Sequence, residues 1–178
     1  SKYYTIAHEL AQLAATKGPC GNDGERHFVV TSGGGPSIME AANRGAVEVG
    51  AETIGLNIVL PHEQAPNDYV TPHLSFQFHY FALRKMHFLL RARAVAVFPG
   101  GFGTFDEFFE LLTLIQTGKM EPIPILLYGK DFWDRVVNFD ELAKEGVINA
   151  ADLNLFTRVE TAQEGWRVVE QFYGLNGC

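Results

Sequence analysis

The sequence predicts an α/β fold, a doubly wound parallel sheet flanked by helices, in a single domain over residues 1–178. Three observations predict it. Short runs rich in β-branched and aromatic residues alternate with stretches of helical period, the helices about 10 to 15 residues long. The runs are apolar at consecutive positions, which suits strands buried on both faces. Two of them end in glycine clusters, each just before a helix begins.

The first helix covers Tyr3 to Ala15, with apolar residues at Tyr3, Ile6, Ala7, Leu10, Leu13 and Ala14, and Lys17-Gly18-Pro19 stops it. "HFVVTSGGG" reads as a buried strand running into glycine, and "PSIMEAANRGAVEVG" as a helix closed by Gly50. "ETIGLNIVL" is the next strand. Residues 61–77 mix Pro, His, Asn and Asp, so a long irregular segment is expected there, a candidate substrate lid or rim. An apolar helix, "FHYFALRKMHFLLRA", leads to the strand "AVAVF" and the helix "TFDEFFELLTLIQTG". The strand "PIPILLY", the helix "DFWDRVVNFDELAKEG", the strand "LFTRVE" and the helix "TAQEGWRVVEQFYG" complete the pattern. Folds of this class usually begin on a strand, so a first strand is expected upstream of Tyr3.

At 178 residues and 47% hydrophobic content, the chain suits one core. No run approaches the roughly 18 apolar residues that span a bilayer, and no signal-peptide pattern opens the chain, so a cytoplasmic protein with no membrane partner is expected. Cys20 and Cys178 lack CxxC spacing and read as free thiols. A net charge of −7 argues against a nucleic-acid partner, which would call for a basic footprint. Any phosphate bound here is expected on a small molecule.

The first glycine loop is Ser32-Gly33-Gly34-Gly35-Pro36-Ser37-Ile38-Met39-Glu40, and the second is Pro99-Gly100-Gly101-Phe102-Gly103-Thr104-Phe105-Asp106-Glu107. Both follow a strand and precede a helix, where bare backbone N–H groups can approach a phosphate. Neither carries a Walker A sequence or GxGxxG spacing, so the usual NAD and ATP chemistries are not expected. Ser37 with Glu40, and Thr104 with Glu107, also satisfy the capping box S/T-x-x-E, in which the acid bonds back to the cap N–H. Capping and chemistry are both open for these two carboxylates. Position favours chemistry at Glu107, which lies about a ribose length from a phosphate held by the loop; Asp106 reads as a helix-dipole residue.

Tyr80, Arg84, His87 and Arg91 share one face of an apolar helix, where an Arg calls for a carboxylate or phosphate partner or a solvated edge. Lys85 stands beside Arg84. His62, His73, His79 and His87 show no tight ligand spacing and read as rim or core residues, so no metal is expected. There is no GxSxG elbow and no cysteine nucleophile environment.

Taken together, "SGGGPSIMEAANRGA", "LRKMH" and "PGGFGTFDE" resemble the LOG family of cytokinin riboside 5′-monophosphate phosphoribohydrolases, long labelled lysine decarboxylases. The motif PGGxGTxxE is complete in Pro99, Gly100, Gly101, Gly103, Thr104 and Glu107, and the Arg-Lys pair is Arg84-Lys85, with the Arg 23 residues before the Glu (107 − 84). The resemblance implies a Rossmann-like fold, a homodimer, no cofactor, and hydrolysis of a nucleoside 5′-monophosphate such as AMP or an N6-substituted AMP to free base and ribose 5-phosphate. It implies Glu107 and Arg84 as catalytic residues. Substrate contacts are expected at Gly33, Gly34, Gly35, Met39, Glu40, Lys85, Gly100, Gly101, Gly103 and Thr104. Family members usually open with a strand carrying a Gly-Ser turn, expected just before Tyr3.

Two other readings use the same residues. A carrier of a nucleotide or phosphorylated cofactor would need the fold and the glycine loops but no chemistry. A decarboxylase would need a Schiff-base lysine, Lys85 or Lys119, and neither has a recognisable cofactor motif around it. Phe76, Phe78, Phe81 and Met86 suit either an apolar slot for an N6 side chain or a core.

Overall fold

The computed structural model describes residues 1–19, 28–59 and 65–175. Cys20, His62 and Cys178 lie outside the described residues. The chain forms two compact units, one of residues 1–91 joined by the C-terminal residues from Tyr173, the other Ala92–Phe172. Each holds a three-stranded sheet with every strand pair parallel, which bears out the α/β class.

In the first unit α1 (Lys2–Lys17) starts at Ser1, whose hydroxyl accepts from the Tyr4 N–H at 3.3 Å. Its buried residues are Ile6, Ala7, Ala11 and Ala15, a narrow stripe that lets another helix come close. That helix is α2 (Ile38–Glu48), and a Cβ on its Gly45 would collide with the carbonyl oxygen of His8. Between them in sequence runs β1 (Val30–Ser32), shorter than its apolar run suggests. β2 (Thr53–Ile58) is the central strand, paired with β1 through Val30↔Thr53 and with β3 (Ser75–Phe78) through Gly55↔Ser75. The expectation of an irregular segment over 61–77 is corrected at its end: a 3-10 turn at Pro72–Leu74 leads into β3, which the sequence reading missed. Its four residues, SFQF, include two exposed ones, so they lack the continuous apolar signature of a covered strand. α3 (Phe81–Leu90) follows, and only Leu89 on it is buried.

In the second unit β5 (Ile125–Tyr128) lies between β4 (Val95–Val97) and β6 (Thr157–Val159), and all four of its residues are buried. α4 (Phe102–Gln116) buries Phe108, Leu111 and Ile115, at helical spacing. Phe108 forms the centre of an aromatic cluster, edge-on to Trp133 at 5.5 Å and to Phe156 at 5.7 Å. The helix expected over "DFWDRVVNFDELAKEG" is two helices, α5 (Lys130–Val136) and α6 (Phe139–Lys144). Val137 adopts an extended conformation, and Asn138 starts the new helix by accepting from the Glu141 N–H at 3.1 Å. A 3-10 segment (Ala150–Leu155) precedes β6, and α7 (Ala162–Tyr173) follows it. No helix of the described residues is long and apolar enough to cross a membrane.

Candidate functional site

The second glycine loop lies at the carboxyl end of β4, and the helix it feeds starts earlier than the sequence suggested. Gly101 is the residue before the first helical turn, Phe102 opens α4, and Gly103 and Thr104 are already helical. Thr104 is therefore not the cap, Glu107 is in the second turn, and no acid lies in the first turn. This corrects both the capping-box option for Thr104 with Glu107 and the dipole reading of Asp106. The Thr104 N–H donates to the Gly101 carbonyl at 3.0 Å, so this amide is committed to the helix start. The N–H groups of Gly101, Phe102 and Gly103 are then the ones a helix start leaves for an outside acceptor. A Cβ on Gly100 would collide with the Thr104 hydroxyl, whereas one on Gly101 or Gly103 would meet open space. Packing within the protein therefore requires bareness at Gly100 alone. At Gly101 and Gly103 bareness keeps an approach to the backbone open.

Glu107 lies four residues after Gly103, about 6 Å further along the helix axis at 1.5 Å per residue. Side chains on a helix leave it tilted toward its N-terminus, so Glu107 starts out over the turn that holds Gly103. Glu107 is half-buried, and its Oε1 is shielded from solvent.

The first loop, in the other unit, gathers Gly33, Met39 and Arg84. A Cβ on Gly33 would lie 2.8 Å from Met39 Sδ and 3.9 Å from Arg84 Nη1, and one on Gly35 would lie 2.6 Å from Met39 Cε. Met39 thus folds back over its own loop, and Arg84 reaches it from α3 with its guanidinium 5.5 Å from the Phe81 ring centroid and 5.8 Å from that of Phe88. Arg84 and Lys85 are both half-buried. Ser37 takes the cap position of α2 but makes no side-chain cap bond, and its φ of 63° is unusual for a residue other than glycine. Glu40 accepts from the Tyr4 hydroxyl at 3.2 Å instead of closing a capping box. It lines an open cleft of about 470 Å³ together with Pro36, Asn67, Asp68 and Tyr69.

Sequence reasoning missed the polar lattice that fixes this loop. Ser32 Oγ donates to Asn43 Oδ1 at 2.7 Å and accepts from the Gly34 N–H at 2.9 Å. Asn43, fully buried in α2, donates to Thr53 Oγ1 at 2.7 Å. Asn67 donates its backbone N–H to the Gly34 carbonyl at 2.8 Å and its Nδ2 to the Gly35 carbonyl at 3.0 Å. The available signal was an Asn on the apolar stripe of α2, in step with Met39 and Ala46. Buried amides carry a cost unless they are satisfied, so an Asn there implies a network.

Two parallel sheets, each with a glycine loop at a strand's carboxyl end opening a helix, define a Rossmann-like α/β protein. A family model described as "Possible lysine decarboxylase" matches residues 39–169, and the chain belongs to that family, the LOG family. Among curated relatives, the probable cytokinin riboside 5′-monophosphate phosphoribohydrolase LOG4 of Oryza sativa subsp. japonica is 26% identical over 139 residues, which is 76% of this chain and 59% of that protein. The probable phosphoribohydrolase LOGL1 of the same plant is 32% identical over 90 residues, 50% of this chain and 40% of that protein. LOG2 of Arabidopsis thaliana, a cytokinin riboside 5′-monophosphate phosphoribohydrolase, is 24% identical over 153 residues, 83% of this chain and 70% of its own length. The chain thus spans less than two thirds of the first two of these relatives. Among solved structures, the molybdenum cofactor carrier protein of Chlamydomonas reinhardtii shares the fold with a TM-score of 0.61 at 21% identity, covering 97% of this chain and 88% of that one.

Proposed function

We propose that the protein hydrolyses the N-glycosidic bond of a nucleoside 5′-monophosphate, AMP or an N6-substituted AMP, releasing the base and ribose 5-phosphate. The observation that carries this reading is the second loop: two glycines facing open space at a helix start, with a half-buried carboxylate one turn beyond. The relatives named as phosphoribohydrolases support it.

In this reading the amides of Gly101, Phe102 and Gly103 hold the phosphate, Gly100 lets Thr104 pack close, and the Thr104 hydroxyl adds a donor. The phosphate does not react; its binding energy fixes C1′ relative to Glu107. As the C1′–N bond breaks, its electron pair leaves with the base and positive charge grows on the ribose. The Glu107 carboxylate stabilises that charge, orients the attacking water and takes its proton. Arg84 holds its proton too firmly for acid catalysis, so we assign it to positioning the substrate. For Gly33, Gly34, Gly35, Met39, Glu40 and Lys85, a substrate-binding role rests on the resemblance to the LOG family.

The test is to incubate the protein with AMP and with N6-isopentenyl-AMP and to assay free base and ribose 5-phosphate. Glu107→Gln is expected to lower turnover about 10²–10⁴-fold while leaving nucleotide binding in place. Binding without base release from the unaltered protein would favour the second reading, a nucleotide or phosphorylated-cofactor carrier, which the likeness to the molybdenum cofactor carrier supports. We also propose a homodimer built on the exposed face of α3.

A further inference from the structure

We infer that an aromatic bracket presets the second glycine loop for its phosphate, with Phe98 and Phe105 as its two ends and Tyr128 and Trp133 as its back. This rests on the nucleotide reading above for the identity of the ligand. The four are positioning residues that act through the backbone of the loop. Phe98 immediately precedes Pro99 and Phe105 immediately follows Thr104, so the two rings flank the loop in sequence. All four lie in the second unit, as the loop does.

On the leading side, Val97 of β4 is in register with Leu127 of β5, which brings Phe98 beside Tyr128. Their rings stack with centroids 4.7 Å apart and planes within 4° of parallel. Tyr128 is fully buried, its hydroxyl donates to the Thr161 carbonyl at 3.3 Å, and a Cβ on Gly165 would collide with that hydroxyl. The ring on which Phe98 lies is therefore itself fixed at its far end. On the trailing side, the Phe105 ring centroid lies 5.1 Å from that of Trp133, which is also fully buried. Trp133 Nε1 donates to the Tyr128 carbonyl at 2.9 Å and closes the bracket. Gly129 permits this return: with a φ of 88° it turns the chain at once from β5 into α5, so the indole reaches back to the strand it has just left.

Between the two ends there is little slack. Pro99 has a fixed φ, and Gly100 sits against the Thr104 hydroxyl, where a Cβ would not fit. The middle has no anchor of its own: a Cβ on Gly101 or Gly103 would meet open space, and the Phe102 side chain is 96% exposed. A loop with stiff joints and a bare middle takes its position from its ends. Donors aimed at a ligand work only when their supports hold them to a fraction of an ångström, and here the supports are the two rings and the buried pair behind them.

The test is calorimetric binding of ribose 5-phosphate and of AMP to the unaltered protein, to Phe98→Leu and to Phe98→Tyr. Phe98→Leu is expected to lose about tenfold in affinity for both ligands, by the same factor, because the loop holds the phosphate they share. Phe98→Tyr keeps the stacked ring and is expected to restore both affinities. Val169→Ala, which opens a cavity in the core of the same unit, is expected to lower Tm and leave both affinities in place. Unchanged affinity in Phe98→Leu would overturn the inference, as would a loss that Phe98→Tyr does not restore or one that Val169→Ala reproduces. If Phe98→Leu does not fold, Phe105→Leu at the other end serves, with the same equal loss for both ligands expected. Base release is followed alongside. AMP binding without base release overturns the hydrolase reading and leaves the comparison of variants intact, whereas base release with unchanged ribose 5-phosphate affinity in the variant overturns the bracket alone. Failure of the unaltered protein to bind either ligand overturns both.

Discussion

Glu107 and Glu40 occupy the same place in their motifs, yet the structure gives them different surroundings. Each closes an S/T-x-x-E pattern, and neither makes the cap that the pattern allows. Glu40 has the Tyr4 hydroxyl as its partner, while Glu107 rides on the second turn of α4 behind a glycine. A capping role and a catalytic role predict different results for Glu107→Gln. Gln serves a capping box nearly as well as Glu, so a cap would leave both Tm and any turnover close to normal. The structure leads us to expect a Tm within a few degrees of the unaltered protein with turnover down about 10²–10⁴-fold, measured by thermal unfolding beside base release. The glycine loops and the Arg84-Lys85 pair were legible in the sequence because bareness and charge are visible in the letters. The start of α4 was not legible, since Phe102-Gly103 reads as loop, yet both residues are helical at the head of an element that buries Phe108, Leu111 and Ile115.

The pairing of α1 with α2 sets the back of the first loop, and two changes probe it. Gly45→Ala would gain about 1 kcal/mol of helix propensity on an isolated helix. Its new Cβ collides with the His8 backbone carbonyl, which cannot rotate away, so we expect a net loss of about 1–3 kcal/mol by denaturant unfolding. The second probe is Glu48, which ends α2 and accepts from Arg44 Nε at 2.7 Å while its other oxygen meets His8 Nε2 at 2.7 Å. These hydrogen bonds, that of Arg44 first, hold its carboxyl below the ordinary range. A carboxyl lowered on folding stabilises above its unfolded pKa of about 4.3, and the contribution is lost as pH falls through the folded value. Glu48→Gln should therefore lower Tm at pH 7, and the gap should close as the melts are taken into acid below about pH 4. The side chain is 40% exposed, so the gap at pH 7 is small and shrinks in high salt. Helical periods made α1 and α2 legible, whereas β3 and the break between α5 and α6 were hidden. Tertiary pairing creates the first, and a single extended residue before Asn138 creates the second.

At the scale of the molecule the unexplained feature is apolar surface on α3. Tyr80 just before it is 71% exposed, and Leu83, Met86 and Leu90 on it are 50%, 54% and 76% exposed. A helix so apolar is ordinarily buried, and here only Leu89 is. Exposed apolar groups that recur along one element, unlike scattered single ones, mark a surface meant to be covered. A symmetric dimer is the simplest cover, because an isologous interface lets one patch serve both sides. The other strongly apolar helix, α4, is the weaker candidate since Phe108, Leu111 and Ile115 are already spent on its own core. Leu83→Lys with Leu90→Lys is therefore expected to convert the proposed dimer to a monomer in sedimentation velocity, with the far-ultraviolet circular dichroism unchanged. A dimer that persists through both substitutions would move the interface off α3, and a monomer in the unaltered protein would remove the homodimer from the proposal.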